Sequence, residues 1–384
     1  MKRILYFYPE NPLGNNQGNN SRVLSLLKFF KNQGYSLDFI GESTENFQQK
    51  DIELLIQKGL VNKGYLFPRF KKSKNQLSYF FKYYLPNKIF NKPEKLNEVK
   101  PGVQSFFNAI VSKNKYDIIL ISYASWASLV IDNKYINRSQ TTLINDTHDF
   151  LTSQYQNYKD FELGNYFRNE IKNLKYFDYI LTISVEEKYL FSQFIPENNV
   201  KLVPHGLPVQ HNTEVNKHCD FDILYVASDN SHNVQGSHWF FTNVFPKINQ
   251  NIKILVIGKI VNHLEVEAPN ITKIERVEDL SQYYQNSKIT ICPMFSGTGL
   301  KIKVIESLSF GLPIVCTEKG VDGLINKSNN GCLVTNDSDT FAKSITQLIT
   351  NEDIYRKYQL ESIEFFNKNY SLDTVYNNLK IILQ

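Results

Sequence analysis

The chain has 384 residues, 42% hydrophobic and 21% charged, a balance that excludes a disordered or collagen-like polymer and, at this length, favours two domains. Its net charge of +5 divides unevenly: residues 1–205 hold 27 Lys and Arg against 19 Asp and Glu, and the remainder 16 against 19. No apolar run reaches 18 residues and Met1-Lys2-Arg3 leads straight into a strand pattern, so neither a membrane span nor a signal peptide is expected and a cytoplasmic location is read.

Ile4 to Tyr8 reads as a strand, Ser21 to Asn32 as an amphipathic helix with Val23, Leu24, Leu27 and Phe30 on one side, and Leu37 to Ile40 as a second strand. Between the first two lies Pro9 to Ser21, whose Gly14 and Gly18 suit the approach of an anion to a helix start. The spacing is neither GxGxxG nor a P-loop, and an ordinary turn with Ser21 as N-cap is the alternative. Residues 58–100 carry 11 basic and 2 acidic side chains interleaved with aromatics such as Tyr65, Phe67, Tyr79 and Tyr83. This stretch is read as an insertion that either meets an anionic membrane surface or a lipid-linked or polyanionic molecule, or packs as a helical excursion with a solvated basic face.

Ile118–Ile121, Thr142–Ile144 and Tyr179–Ile183 continue the strand series, with a helix over about 161–175. After Pro204-His205-Gly206 the pattern restarts, with strands at 223–226, 252–257, 289–292 and 314–316. Helices are expected near 236–249, 279–286, 301–310 and 338–349, and the tail from 354 reads as helical. Continuous apolar strands separated by helices predict two parallel sheets covered on both faces, in domains over 1–205 and 206–353. Ligands of such sheets bind beyond the carboxyl ends of the strands.

Two stretches at those ends carry chemistry. Asp146-Thr147-His148-Asp149 puts an imidazole between carboxylates just past a strand. Ser296-Gly297-Thr298-Gly299-Leu300-Lys301-Ile302-Lys303 runs from a strand into a helix, where the amides of Gly297, Thr298, Gly299 and Leu300, the helix dipole and the ammonium groups of Lys301 and Lys303 make a diphosphate site. Glu306 on the same helix is placed to accept ribose hydroxyls. Four scattered cysteines (Cys219, Cys292, Cys316, Cys332) with no CxxC pair, and the absence of an Asp-x-Asp, give no metal ligand set.

Together with Val203-Pro204-His205-Gly206, these stretches resemble the retaining GT-B glycosyltransferases of group 1, or glycosyltransferase family 4, over nearly the whole chain outside 58–100. The resemblance implies two Rossmann-like domains facing across a cleft, a nucleotide-sugar donor in the C-terminal domain, a last helix (354–384) returning to the N-terminal domain, and transfer to a carbohydrate, lipid-linked or protein acceptor without metal or cofactor, in bacterial surface glycan, glycolipid or glycoprotein synthesis. Glu306 matches the second glutamate of the family's pair, whereas Thr298 stands where the first would fall. His148 matches the histidine near the reacting centre, with Asp149 beside it and Lys301 and Lys303 neutralising the departing diphosphate.

Gly18 and Asn19 match the glycine-rich loop near the donor phosphates. Ser228 and Asn233 lie in a loop that lacks the family's usual Arg and Lys, and Gly258 and Val277 mark the loops that read the base through backbone. A sugar-nucleotide epimerase of the same fold and a non-catalytic nucleic-acid-binding protein are the competing readings; no nucleic acid is expected as partner under the first.

Overall fold

The computed structural model describes residues 2–14, 18–68, 80, 85, 96–100, 102–211, 219–297 and 299–383. Internal contacts divide the chain into two units, Met1–Val203 and Pro204–Gln384, a boundary two residues ahead of the expected one. Each unit is built on one parallel sheet, as continuous apolar strands require when helices cover both faces.

The first sheet comprises β1 (Arg3–Phe7), β2 (Ser36–Ser43), β3 (Lys63–Pro68), β4 (Ile118–Ser122), β5 (Thr142–Asp146), β6 (Tyr179–Thr182) and β7 (Val200–Leu202), in the order 3-2-1-4-5-6-7. β1 pairs with β2 on one side and with β4 on the other, Leu5 facing Asp38 and Ile119. Chain direction across the sheet therefore reverses between β1 and β4, which opens a crevice at their carboxyl ends. Helices α1 (Gly18–Asn32), α2 (Gln49–Gln57), α3 (Val103–Val111), α4 (Leu163–Leu174) and α5 (Val185–Ser192) connect the strands.

Helix α1 starts at Gly18, three residues before the expected start, so Ser21 is not its N-cap. Tertiary bonds made by Asn20 and Arg22, described below, hold the Gly-Asn-Asn turn helical against its weak propensity. A second correction concerns the basic stretch at 58–100: it opens not as an insertion but as β3, an edge strand whose Phe67 is buried and stacks on Phe7 with centroids 6.2 Å apart. Lys58 caps α2, and Lys100 pairs with Glu42 at 3.6 Å. Apart from residues 80 and 85, positions 69–95 lie outside the described residues.

The second sheet comprises β8 (Phe221–Val226), β9 (Ile254–Ile257), β10 (Ile271–Ile274), β11 (Ser287–Cys292), β12 (Ile314–Cys316) and β13 (Cys332–Val334), in the order 10-9-8-11-12-13. Its reversal lies between β8 and β11. Helix α6 (Ser231–Trp239) follows β8, α7 (Ile302–Ser309) follows β11, and α8 (Ser338–Thr350), α9 (Glu352–Asn369) and α10 (Leu372–Leu383) close the chain.

Helix α6 starts five residues before its expected position because Asn230 caps it, the side chain accepting Asn233 N–H at 2.9 Å. It ends in a π turn over Phe240–Val244 and a 3-10 turn at Phe245–Lys247 that includes Pro246. The expected single tail helix is two helices. They part at Tyr370–Ser371, where the Leu207 amide donates to Tyr370 O and the Leu372 amide to Leu207 O, both at 3.0 Å.

Candidate functional site

Both stretches singled out by sequence sit at the reversal points of their own sheets. In the first unit, Ser122 and Asp146 end β4 and β5, Tyr8 follows β1, and His148 follows β5. Asp146 is fully buried, and a buried carboxylate needs a partner. Arg22, 4% exposed on the inner face of α1, supplies it: Nε lies 3.0 Å from both carboxylate oxygens and Nη2 2.6 Å from Oδ1, while Nη1 donates to Val203 O at 2.8 Å.

His148 Nε2 stands 3.2 Å from Asp146 Oδ2 and 3.0 Å from Ser122 Oγ. Burial holds the imidazole's pKa down at about 4, against the opposing pull of Asp146 and with the aid of Arg22. The ring is therefore neutral at pH 7, and the acceptor-only carboxylate sets its proton on Nε2. Nδ1 is then a buried lone pair with no hydrogen-bond partner among the described residues.

The ring stacks against Tyr123 and Tyr8, with centroids 4.6 and 5.5 Å away. Both tyrosines are tied to α1: Asn19 Nδ2 donates to Tyr123 Oη and Tyr8 Oη donates to Asn20 Oδ1, each at 2.7 Å. His148 and Tyr123 have φ of +59° and +63°, a left-handed backbone that costs a non-glycine residue about 1–3 kcal/mol and persists where surroundings over-determine it.

Asp149 is half-buried. Its charge is the second cause, after burial, of the rise of Glu187 to about 8. Glu187 accepts from Ile183 N–H at 3.3 Å and lies 3.0 Å from Thr147 Oγ1. Sequence reading missed Arg22, yet a signal was available: Arg22, Leu26 and Phe29 share one helix stripe, and Asp146 closes an apolar strand, so two lone opposite charges point into one core.

In the second unit the loops after β8 and β11 meet. A Cβ on Gly236 would lie 2.3 Å from Pro293 O, so α6 sits directly on the chain leaving β11. His232 Nδ1 lies 2.7 Å from Ser296 Oγ, which donates to Gln235 Oε1 at 2.9 Å. From this staple the chain turns through Gly297 and Gly299, with φ of +100° and +70°, into α7. Both dihedrals favour glycine. Thr298 lies outside the described residues.

Lys301 is the residue before α7, and Lys303 alone of the two lies within it, a correction to two lysines in the first turn. Lys301 Nζ folds back onto Gly299 O at 2.8 Å. Lys303 Nζ donates to Asn233 Oδ1 at 2.7 Å, and Asn233 Nδ2 to Ser228 Oγ at 3.0 Å. Burial lowers the Lys303 ammonium's pKa and raises that of Glu306, whose Oε2 accepts from Tyr284 Oη at 3.2 Å.

Gly258 has φ +115°, and a Cβ there would meet Ala227 O at 2.1 Å, so only glycine lets β9 turn beside β8. Val277 packs on a cluster that includes Leu224, Leu255 and Ile257. Ser228, Asn233, Leu300, Lys301, Lys303 and Glu306 are thus grouped around one reversal point, whereas Gly18, Asn19, His148 and Asp149 belong to the other unit.

Residues 220–351 match the family model described as glycosyl transferases, group 1. Across its full length the chain is 22% identical to a 44.6 kDa protein of the cps region of Klebsiella pneumoniae, over 99% of each. Among solved structures it resembles Anabaena HepE in complex with UDP and glucose, at 12% identity and a TM-score of 0.68, covering 100% of this chain and 99% of that one. The lipopolysaccharide outer core galactosyltransferase WaaB is similar at 12% identity and a TM-score of 0.61, again over 100% and 99%. Two parallel-sheet Rossmann-like units in this arrangement of strands are the GT-B fold.

Proposed function

We propose that the chain is a retaining, metal-independent glycosyltransferase that moves a sugar from a nucleotide diphosphate sugar to an acceptor hydroxyl. The observation that carries this reading is the turn between β11 and α7, where two left-handed glycines, a helix N-terminus and two lysines converge at a sheet reversal inside the matched residues. As the glycosidic bond breaks, the sugar becomes oxocarbenium-like and the departing diphosphate gains negative charge. Lys301, Lys303 and the first amides of α7 stabilise that charge. The leaving phosphate oxygen takes the acceptor proton on the same face, which preserves anomeric configuration.

Glu306 exchanges Tyr284 for the ribose hydroxyls, and the Gly258 and Val277 loops read the base through backbone. The first unit serves the acceptor. There His148 acts as a neutral, fixed dipole whose Nδ1 lone pair can take a hydroxyl proton in a hydrogen bond; it is not an acid at neutral pH. The complexes of HepE make UDP the first nucleotide to try, and the names of WaaB and the cps-region relative favour a bacterial surface glycan acceptor, worked on from the cytoplasmic side.

Thermal unfolding with UDP, GDP, dTDP and CDP tests the donor assignment, since a ligand at 100 times its Kd stabilises by roughly 2.7 kcal/mol. A rise with one diphosphate, followed by product with retained anomeric configuration by NMR in the presence of EDTA, is expected. No rise with any of them overturns the reading.

A further inference from the structure

The inner and outer faces of α4 differ in kind. Inward, Glu170 is buried and its carboxylate accepts the Leu151 and Thr152 amides at 2.9 and 2.8 Å, fixing the turn that follows His148 and Asp149. Outward lies a groove of about 590 Å³ whose apolar wall is made by Phe167, Ile171 and Phe194 and whose margin carries Arg168, Lys172 and Lys175. The three cations follow one another at i, i+4 and i+7, so they line one side of the helix. Among the described residues none of the three side chains has a hydrogen-bond or ion-pair partner, and the one carboxylate within α4, Glu170, faces the other way. Beside them, Leu163 is 63% exposed and Phe194 45%.

We propose that this face docks the first unit on an anionic lipid bilayer. A row of uncompensated cations asks for a dense field of negative charge, and the open apolar groove between α4 and Phe194 asks for a partner that also accepts hydrocarbon; anionic phospholipid headgroups over acyl chains supply both. The groove lies outside the basic 58–100 stretch, and it is formed wholly by described residues. Docking here would seat the bilayer against the helix whose inner carboxylate holds the His148 turn.

Co-sedimentation of the full chain with phosphatidylcholine vesicles, with and without phosphatidylglycerol, at low and high salt, tests the proposal without donor or acceptor, so it stands or falls apart from the catalytic reading. Pelleting is expected on the anionic vesicles and to weaken with salt. Each basic side chain at such a surface contributes a factor of about 5, so R168Q/K172Q/K175Q should lower partitioning by on the order of 100-fold while its thermal unfolding midpoint stays near the parent's. F194S should reduce the salt-resistant remainder. Parental binding by the triple variant, equal pelleting on neutral vesicles, or no pelleting at all overturns the proposal. So does a concentration-dependent dimer that F194S abolishes, which would make the groove a contact between copies.

Discussion

In the first unit the reversal point is held by side chains: a buried guanidinium clamps Asp146, Asp146 orients His148, and two tyrosines tied to α1 sandwich the ring. In the second it is held largely by backbone: glycines at positive φ, a helix resting on a carbonyl at Gly236, and lysines whose ammonium groups donate to the Gly299 carbonyl and the Asn233 amide oxygen. A charge-locked site resists rearrangement at the expense of desolvation, whereas tethers to neutral acceptors are readily exchanged for a phosphate. The comparison thus assigns rigidity to the site in the first unit and adaptability to the site in the second.

The largest effect should come from breaking the lock. Arg22→Met leaves Asp146 buried without its guanidinium, and loss of one partner of a buried pair costs about 3–5 kcal/mol. Urea unfolding measures it. A cost below about 1 kcal/mol would mean that Asp146 ionises only weakly in the native state and that the lock is a packing feature.

Two titrations in the same cluster run in opposite directions. His148 has its folded pKa depressed from 6.5 to about 4, so its contribution is present above pH 6.5 and is lost as pH falls to about 4, amounting to about 3 kcal/mol. Glu187 is raised from 4.5 to about 8, so its contribution is present below pH 4.5 and is lost as pH rises to about 8. His148→Gln should flatten the acid limb of stability against pH, and Glu187→Gln the alkaline limb, stabilising the protein at pH 8. Unfolding midpoints across pH 4–9 decide it; an alkaline limb that survives Glu187→Gln would assign the loss to another group.

Under the proposed function, Lys303→Ala in the second unit should weaken nucleoside diphosphate binding by about 1.5–3 kcal/mol, one charge-assisted bond. His148→Ala should instead lower turnover and leave nucleotide affinity within a few fold. Calorimetric titration beside initial rates separates the two, and equal losses in both variants would erase the division between the units.

What sequence disclosed follows from how local each signal is. Strand-loop-helix chemistry at Gly297 to Lys303 was legible because turn glycines, helix start and cations are adjacent in the chain. So were the buried strands, from apolar runs alone. Arg22 and Asp146 are 124 residues apart, and no local pattern joins them. β3 is obscured in the sequence because Tyr65 and Phe67 lie among lysines, although their alternation is that of an edge strand. The break at Tyr370 depends on Leu207, far away in sequence, and a helical pattern by itself cannot show it.

The smallest expected effect probes the tether itself. Asn233 Oδ1 holds the Lys303 ammonium in the free protein, at 2.7 Å, and stands in place of the basic pair that the resemblance leads one to expect in this loop. Removing it has two opposed consequences: Lys303 loses a guide toward the phosphate, and the phosphate loses a competitor for Lys303. Each is worth about 0.5–1.5 kcal/mol, so Asn233→Ala should change diphosphate affinity by less than tenfold. The pH dependence is more telling. An acceptor on the charged ammonium favours the protonated form, so without Asn233 the already lowered pKa of Lys303 falls further, and affinity should fade at a lower pH on the alkaline side than in the parent. In a Lys303→Ala background the Asn233 change should add only the loss of its bond to Ser228, because the tether to the ammonium is already gone. A further loss in that background that Ser228→Ala does not reproduce would mean that Asn233 contacts the nucleotide directly.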